Sequence, residues 1–306
     1  MKYKIDKQFF PFSYFKPPIG EKFLKFVVPH MKAPGYIYKD PSLEVSCHEV
    51  KSYDGDSIKC IVMSPKGVRE PMPCLIYLHG GGFVLSAADY HYKNCMRYAK
   101  EIGCKIVFVD YRLAPGHPHP AFFEDCYAAM CWTYENADKL GIDRSRIGVG
   151  GDSAGSTLSV GVCMMARDRV HPIKIAFQML PYPFLDARNN SESCKKYTDT
   201  PMWNSTLSTR IAPYTKVDKS RADYFYYSPV EADDFQGLPP AYIETAEFDC
   251  LHDDGILYAE KLREAGIHVT LNETLGTMHG FDIVQGADKT KEAIKARISF
   301  MSRFFK

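Results

Sequence analysis

From about residue 45 onward, short apolar runs alternate with longer stretches of helical character, and the alternation continues to the C-terminal end of the chain. Runs at 45–51, 58–63, 74–78, 106–110, 146–149, 175–180, 241–245 and 269–273 are rich in Val, Ile, Phe and Tyr and predict strands. Between the later ones lie 90–102, 121–137, 154–169 and 255–265, with 289–304 after the last, each long enough for a helix. Parallel strands need such crossovers, so the pattern predicts an α/β fold. Its core is a mostly parallel eight-stranded central sheet flanked by helices. The first two strands are expected to form a hairpin, because Asp54-Gly55 supplies the positive φ of a tight turn.

Two segments break the alternation. Residues 1–44 are rich in Phe, Tyr and Pro, and residues 185–236, inserted after the sixth strand, carry Trp203, Tyr214 and Tyr224-Phe225-Tyr226-Tyr227 among many polar positions. Long inserts in compact domains are often lids. The expected organisation is therefore a catalytic domain of 45–184 and 237–306, capped by the N-terminal segment and the 185–236 insert.

Charge narrows the partners. The chain has 38 Lys and Arg against 37 Asp and Glu, a net charge of +1, and no block of like charges. Neither a nucleic-acid footprint nor a basic membrane-binding face is expected, and small, roughly neutral ligands are the default. Ten cysteines without a C-x-x-C pair, several inside predicted core strands, fit a reducing compartment better than a disulfide framework. The N-terminus lacks the apolar region of a signal peptide and no run of about 18 apolar residues follows, so a cytoplasmic location is expected.

The candidate chemistry centres on Gly151-Asp152-Ser153-Ala154-Gly155, between the strand at 146–149 and the helix at 154–169. A serine at so sharp a turn is held facing a cleft, and glycines flank it where a Cβ would strike a neighbouring element. Chance alone yields G-x-S-x-G in about one chain of this length in ten, so context has to carry the reading. That context is His79-Gly80-Gly81-Gly82, closing the strand at 74–78, whose backbone N–H groups suit an oxyanion. A serine hydroxyl also needs a base and an orienting carboxylate. His279 lies just beyond the last predicted strand, and Asp249 follows the strand at 241–245. Asp186, Asp253 and Asp254 are alternative acids, the last two equally suited to the first turn of the next helix.

Five motifs in order carry a resemblance: His79-Gly80-Gly81-Gly82-Phe83, Asp110-Tyr111-Arg112-Leu113-Ala114-Pro115, the pentapeptide around Ser153, Phe248-Asp249-x-Leu251-x-Asp253, and His279-Gly280-Phe281. The chain resembles hormone-sensitive-lipase-type carboxylesterases of the α/β-hydrolase fold over residues about 45 to 306. The resemblance implies Ser153 as nucleophile, Asp249 and His279 as its partners, and the N–H groups of Gly81, Gly82 and Ala154 as the oxyanion hole. His79, Gly80 and Asp152 would support the motif. Gly116 departs from the family, which often has Glu after Leu-Ala-Pro.

The implied activity is hydrolysis of short-acyl esters, without cofactor or metal. The alternatives are an amidase or peptidase using the same triad, and a non-catalytic ligand receptor, which in this family typically lacks the histidine present here. His117 and His119 have metal-like spacing but no further ligand joins them, and Asp110 with Arg112 is expected to form a buried ion pair under the glycine loop. A homodimer through the last strand is a further expectation.

Overall fold

The computed structural model describes residues 2–12, 14–17, 19–69, 71–169 and 173–306. Eight strands form one sheet: β1 (Leu43–Lys51), β2 (Ser57–Pro65), β3 (Met72–Leu78), β4 (Lys105–Asp110), β5 (Ile142–Gly151), β6 (Gln178–Pro181), β7 (Ala241–Phe248) and β8 (Val269–Met278). Their order is β1-β2-β4-β3-β5-β6-β7-β8, with β1, β2 and β4 paired antiparallel and every other pair parallel. The expected hairpin joins β1 to β2, with Gly55 at φ +88° and Ser52 N–H donating to the Asp56 carbonyl at 2.8 Å.

Nine α-helices accompany the sheet: α1 (Glu21–Phe26), α2 (Asp89–Tyr98), α3 (Ala121–Glu135), α4 (Ala154–Asp168), α5 (Glu192–Lys196), α6 (Ser205–Thr215), α7 (Tyr224–Tyr227), α8 (His252–Glu264) and α9 (Asp288–Ser302), counted among the described residues. β3 explains the two-sided packing, because every one of its residues is buried. Cys74, Ile76 and Leu78 face a layer with Phe122 and Leu158 of α3 and α4, while Leu75 and Tyr77 face one with Tyr92 of α2 and Phe300 of α9. Each such aliphatic or aromatic side chain contributes about 1.5–3 kcal/mol on burial, so both helix layers are held by the same strand.

Several boundaries differ from the periodicity. β6 is short, beginning at Gln178 rather than 175, and β8 runs on to Met278, well past 273. α8 starts at His252, which puts Asp253 and Asp254 in its first turn. α2 ends at Tyr98 and continues as a π-helical turn, Ala99–Gly103.

Chain order reverses across β3, whose neighbours are β4 on one side and β5 on the other. A crevice opens beyond the carboxyl ends of strands at such a switch point. The glycine loop after β3, Ser153 after β5, Asp249 after β7 and His279 after β8 all lie at that end of the sheet.

Candidate active site

Ser153 joins β5 to α4 at φ 55° and ψ −120°, a conformation that non-glycine residues rarely adopt. The turn is tight enough that its flanking residues crowd one neighbour. A Cβ at Gly151 or at Gly155 would fall 2.0 Å from the Leu78 carbonyl oxygen of β3. Glycine at both positions lets the elbow press against β3 and so fixes the direction of the serine side chain.

His279 Nε2 lies 2.8 Å from Ser153 Oγ, and its Nδ1 lies 2.7 Å from Asp249 Oδ2. All three side chains are buried. The carboxylate oxygen accepts, so Nδ1 is the protonated nitrogen, and Nε2 is left to accept from the hydroxyl. Asp249 is itself anchored, because Leu251 N–H donates to its Oδ1 at 3.0 Å. The other candidate acids lie apart from this chain of contacts. Asp186 pairs with Arg188 at 2.6 Å, Asp254 accepts the Leu185 and Asp186 N–H groups, and Asp253 accepts the Ser193 N–H. Burial raises the Asp254 carboxyl well above its ordinary range despite those two donors.

The glycine loop meets the serine from the other side. Gly81 and Gly82 have positive φ, and their N–H groups donate to no acceptor among the described residues. Ala154 opens α4, where no carbonyl one turn earlier is available to its N–H. These three residues line the space around Ser153. Asp152 ties the loop to the elbow, accepting from Gly80 N–H at 3.2 Å, Tyr77 Oη at 2.7 Å and Tyr90 Oη at 3.1 Å, with His91 Nε2 at 3.1 Å. Burial works to raise its carboxyl, but the His91 ring and these hydrogen bonds hold it below the ordinary carboxylate range.

His79 is buried beneath the loop, stacked on Tyr111 at 4.4 Å with Nδ1 against the Gly80 carbonyl. Burial and nearby His91 push it down to about 4. The expected Asp110–Arg112 pair does not form. Arg112 turns instead to Asp125, Asp54 and Asp56, which are better placed across the β1–β2 turn and α3. Support for the loop comes from Tyr111, whose hydroxyl donates to the His79 carbonyl at 2.7 Å.

A second layer had no signal in the sequence. Tyr182, at φ 35°, packs edge-on to the His279 ring at 5.0 Å and donates to Asp282 at 2.5 Å. Arg297 of α9 then bridges Asp282 and Glu244, at 2.8 and 2.5 Å, with all three side chains buried. Asp282 follows closely on His279-Gly280-Phe281, but nothing in the periodicity of 289–304 marks Arg297 as a core residue.

Two cavities meet at Ser153. The smaller, about 30 Å³, is walled by Phe184, Trp203, Ile211 and Tyr227; the larger, about 270 Å³, is apolar and bordered by Phe15, Phe23, Met31, Ile283 and His279. Gly82, Ser153 and Trp203 border both. Residues of 1–44 and of 185–236 thus share one wall, and Met202 N–H donates to the Phe15 carbonyl at 3.0 Å.

The family description alpha/beta hydrolase fold matches residues 75–283, which include the glycine loop, Ser153, Asp249 and His279. The chain is an α/β-hydrolase of the hormone-sensitive-lipase type. Among relatives of this α/β-hydrolase, carboxylesterase NlhH of Mycobacterium tuberculosis is 38% identical over 245 residues, 79% of this chain and 76% of its own. Ethyl acetate hydrolase of Pseudomonas putida is 33% identical over 220 residues, 70% of this chain and 69% of its own. A bacterial heroin esterase superposes with a TM-score of 0.82 at 33% identity, covering 89% of this chain and 88% of its own. No helix among the described residues is long and apolar enough to cross a membrane.

Proposed function

We propose that this α/β-hydrolase is a serine carboxylesterase for short-acyl esters of bulky apolar alcohols. The observation that carries it is the unbroken contact from Asp249 through His279 to Ser153, set between a narrow and a wide cavity. Ser153 Oγ attacks the ester carbonyl carbon as His279 Nε2 takes the hydroxyl proton, while the Gly81, Gly82 and Ala154 N–H groups receive the charge forming on the carbonyl oxygen. Each such donor is worth about 2.7–4 kcal/mol. Collapse of the tetrahedral intermediate breaks the carbonyl–alkoxy bond, and the imidazolium returns the proton to the leaving oxygen. Water, deprotonated by His279, then attacks the acyl-enzyme, and the carboxylic acid leaves as Ser153 regains its proton.

This proton path assigns the cavities. The leaving oxygen has to be within reach of His279, and His279 borders the wide cavity alone, so the alcohol lies there. The acyl chain is left with the narrow one, which has room for about two waters or a methyl to ethyl group. Residues 1–44 and 185–236 act together as the cap over 45–184 and 237–306, since each contributes walls to the substrate space. Ten unpaired thiols suit a cytoplasmic location, and the edge strand β8 offers a route to a homodimer.

Matched aryl acetate ester and acetanilide substrates test the reaction class. Ester turnover exceeding amide turnover by several orders of magnitude is expected; comparable rates would overturn the carboxylesterase reading in favour of an amidase.

A further inference from the structure

The cap's N-terminal segment has an outer face that catalysis does not use. Residues 2–39 hold eight lysines, all exposed, against Asp6 and Glu21 as the only acids, in a chain whose net charge is +1. Near-neutrality of the whole therefore conceals a strongly basic end. The same segment holds eight of the twelve exposed large hydrophobic residues among those described, with Tyr14 at 77% and Phe26 at 71% exposure. Phe10 and Tyr14 pack edge to face on one another. Apolar side chains this exposed, interleaved with lysines, mark an interaction surface.

The patch is continuous with the mouth of the wide cavity. Of the segment's residues that border that cavity, Phe15 and Pro17 flank Lys16, Phe23 follows Lys22 and Met31 precedes Lys32. Lys16, Lys22 and Lys32 pair with no acid among the described residues, whereas Lys25 is engaged by Glu21 and Lys2 by Asp199. Positive charge and exposed aromatic rings together complement a negative interface with an apolar interior, into which Phe and Tyr side chains insert while lysines reach the headgroups.

We propose that residues 2–39 are a docking surface for an anionic lipid bilayer, seating the mouth of the wide cavity on the membrane. The docking rests on the surface alone; its use, delivery of lipophilic esters that partition into the bilayer, rests on the carboxylesterase reading.

Sedimentation of the full chain with vesicles tests it, comparing phosphatidylcholine alone with phosphatidylcholine containing about one third phosphatidylglycerol. Binding is expected on the anionic vesicles, weakening as salt is raised, and at least about tenfold weaker on the neutral ones. Replacing three lysines (Lys16→Glu, Lys22→Glu and Lys32→Glu) should weaken binding by at least about 100-fold. Replacing Phe10→Ser, Tyr14→Ser and Phe26→Ser should weaken it by about tenfold or more. None of these six side chains borders the substrate cavities, so p-nitrophenyl acetate turnover in solution should be unchanged in both variants. Equal binding to both vesicle types, or none to either, overturns the proposal. A self-association lost in the Phe10→Ser, Tyr14→Ser, Phe26→Ser variant, without vesicle binding, would assign the face to a second copy of the chain instead.

Discussion

Truncating Ile211 should lengthen the acyl chain that the enzyme accepts. Ile211 projects from α6 toward the glycine loop, so closely that a Cβ on Gly82 would meet its Cδ1 at 2.9 Å, and it walls the narrow cavity opposite Ser153. Ile211→Ala removes three carbons from that wall. If an acyl chain fills the space, about three further methylenes are buried, each worth about 0.8 kcal/mol, or about 2.4 kcal/mol together. That corresponds to about a 60-fold rise in the hexanoate-to-acetate ratio of kcat/KM. Initial rates on the two p-nitrophenyl esters measure it directly, because the leaving group is common to both and the wide cavity's contribution cancels in the ratio. The variant is expected to lose about 2–5 kcal/mol of stability, as a buried aliphatic truncation does, so urea unfolding has to establish first that it is folded. A folded Ile211→Ala protein whose ratio stays at the wild-type value would refute the assignment of the acyl chain to the narrow cavity. A ratio that rises instead with Phe23→Ala, on the wide side, would show that the two compartments are exchanged.

Asp249→Asn should leave the geometry in place but allow the wrong histidine tautomer, lowering kcat by about 10⁴-fold, read by steady-state kinetics on p-nitrophenyl acetate. Gly155→Ala forces a Cβ to 2.0 Å from the Leu78 carbonyl, between two elements that cannot separate, and should destabilise by about 3 kcal/mol or more in urea titration. His79, held near 4 in the fold against 6.5 ordinarily, takes up a proton more readily when unfolded. Its contribution, about 3 kcal/mol, is complete above pH 6.5 and is lost as pH falls from there through about 4. Between pH 7 and 4, His79→Gln should therefore lose less stability than wild type.

The elbow at Ser153 and the glycine loop were legible because their constraints are local. Gly151 and Gly155 bracket Ser153 in five residues, and the three glycines after His79 announce a loop whose backbone has to face a ligand. Spacing along the chain leaves Asp249, Asp253 and Asp254 within six residues of one another, and only the motif around Asp249 singles it out. It is the register of β7 and the start of α8 at His252 that leave Asp249 alone facing His279. Arg297 stayed hidden for a different reason. An arginine in an amphipathic helix reads as solvated, and its burial depends on Glu244 and Asp282, which reach it from distant parts of the chain. The same holds for Asp110, where adjacency suggested a pair with Arg112 that the fold gives to Asp125. The walls of the two cavities come from segments without periodicity, and the basic character of residues 2–39 is averaged away in the whole-chain charge.

The nucleophile is identified by intact-protein and peptide mass spectrometry after acid quench of the enzyme turning over p-nitrophenyl acetate, for wild type and Ser153→Ala in parallel. The triad geometry predicts acetyl on the peptide carrying Ser153 in wild type, and neither acetylation nor turnover in the variant. Acetyl on another residue during turnover, or a Ser153→Ala protein that keeps wild-type turnover, would contradict it.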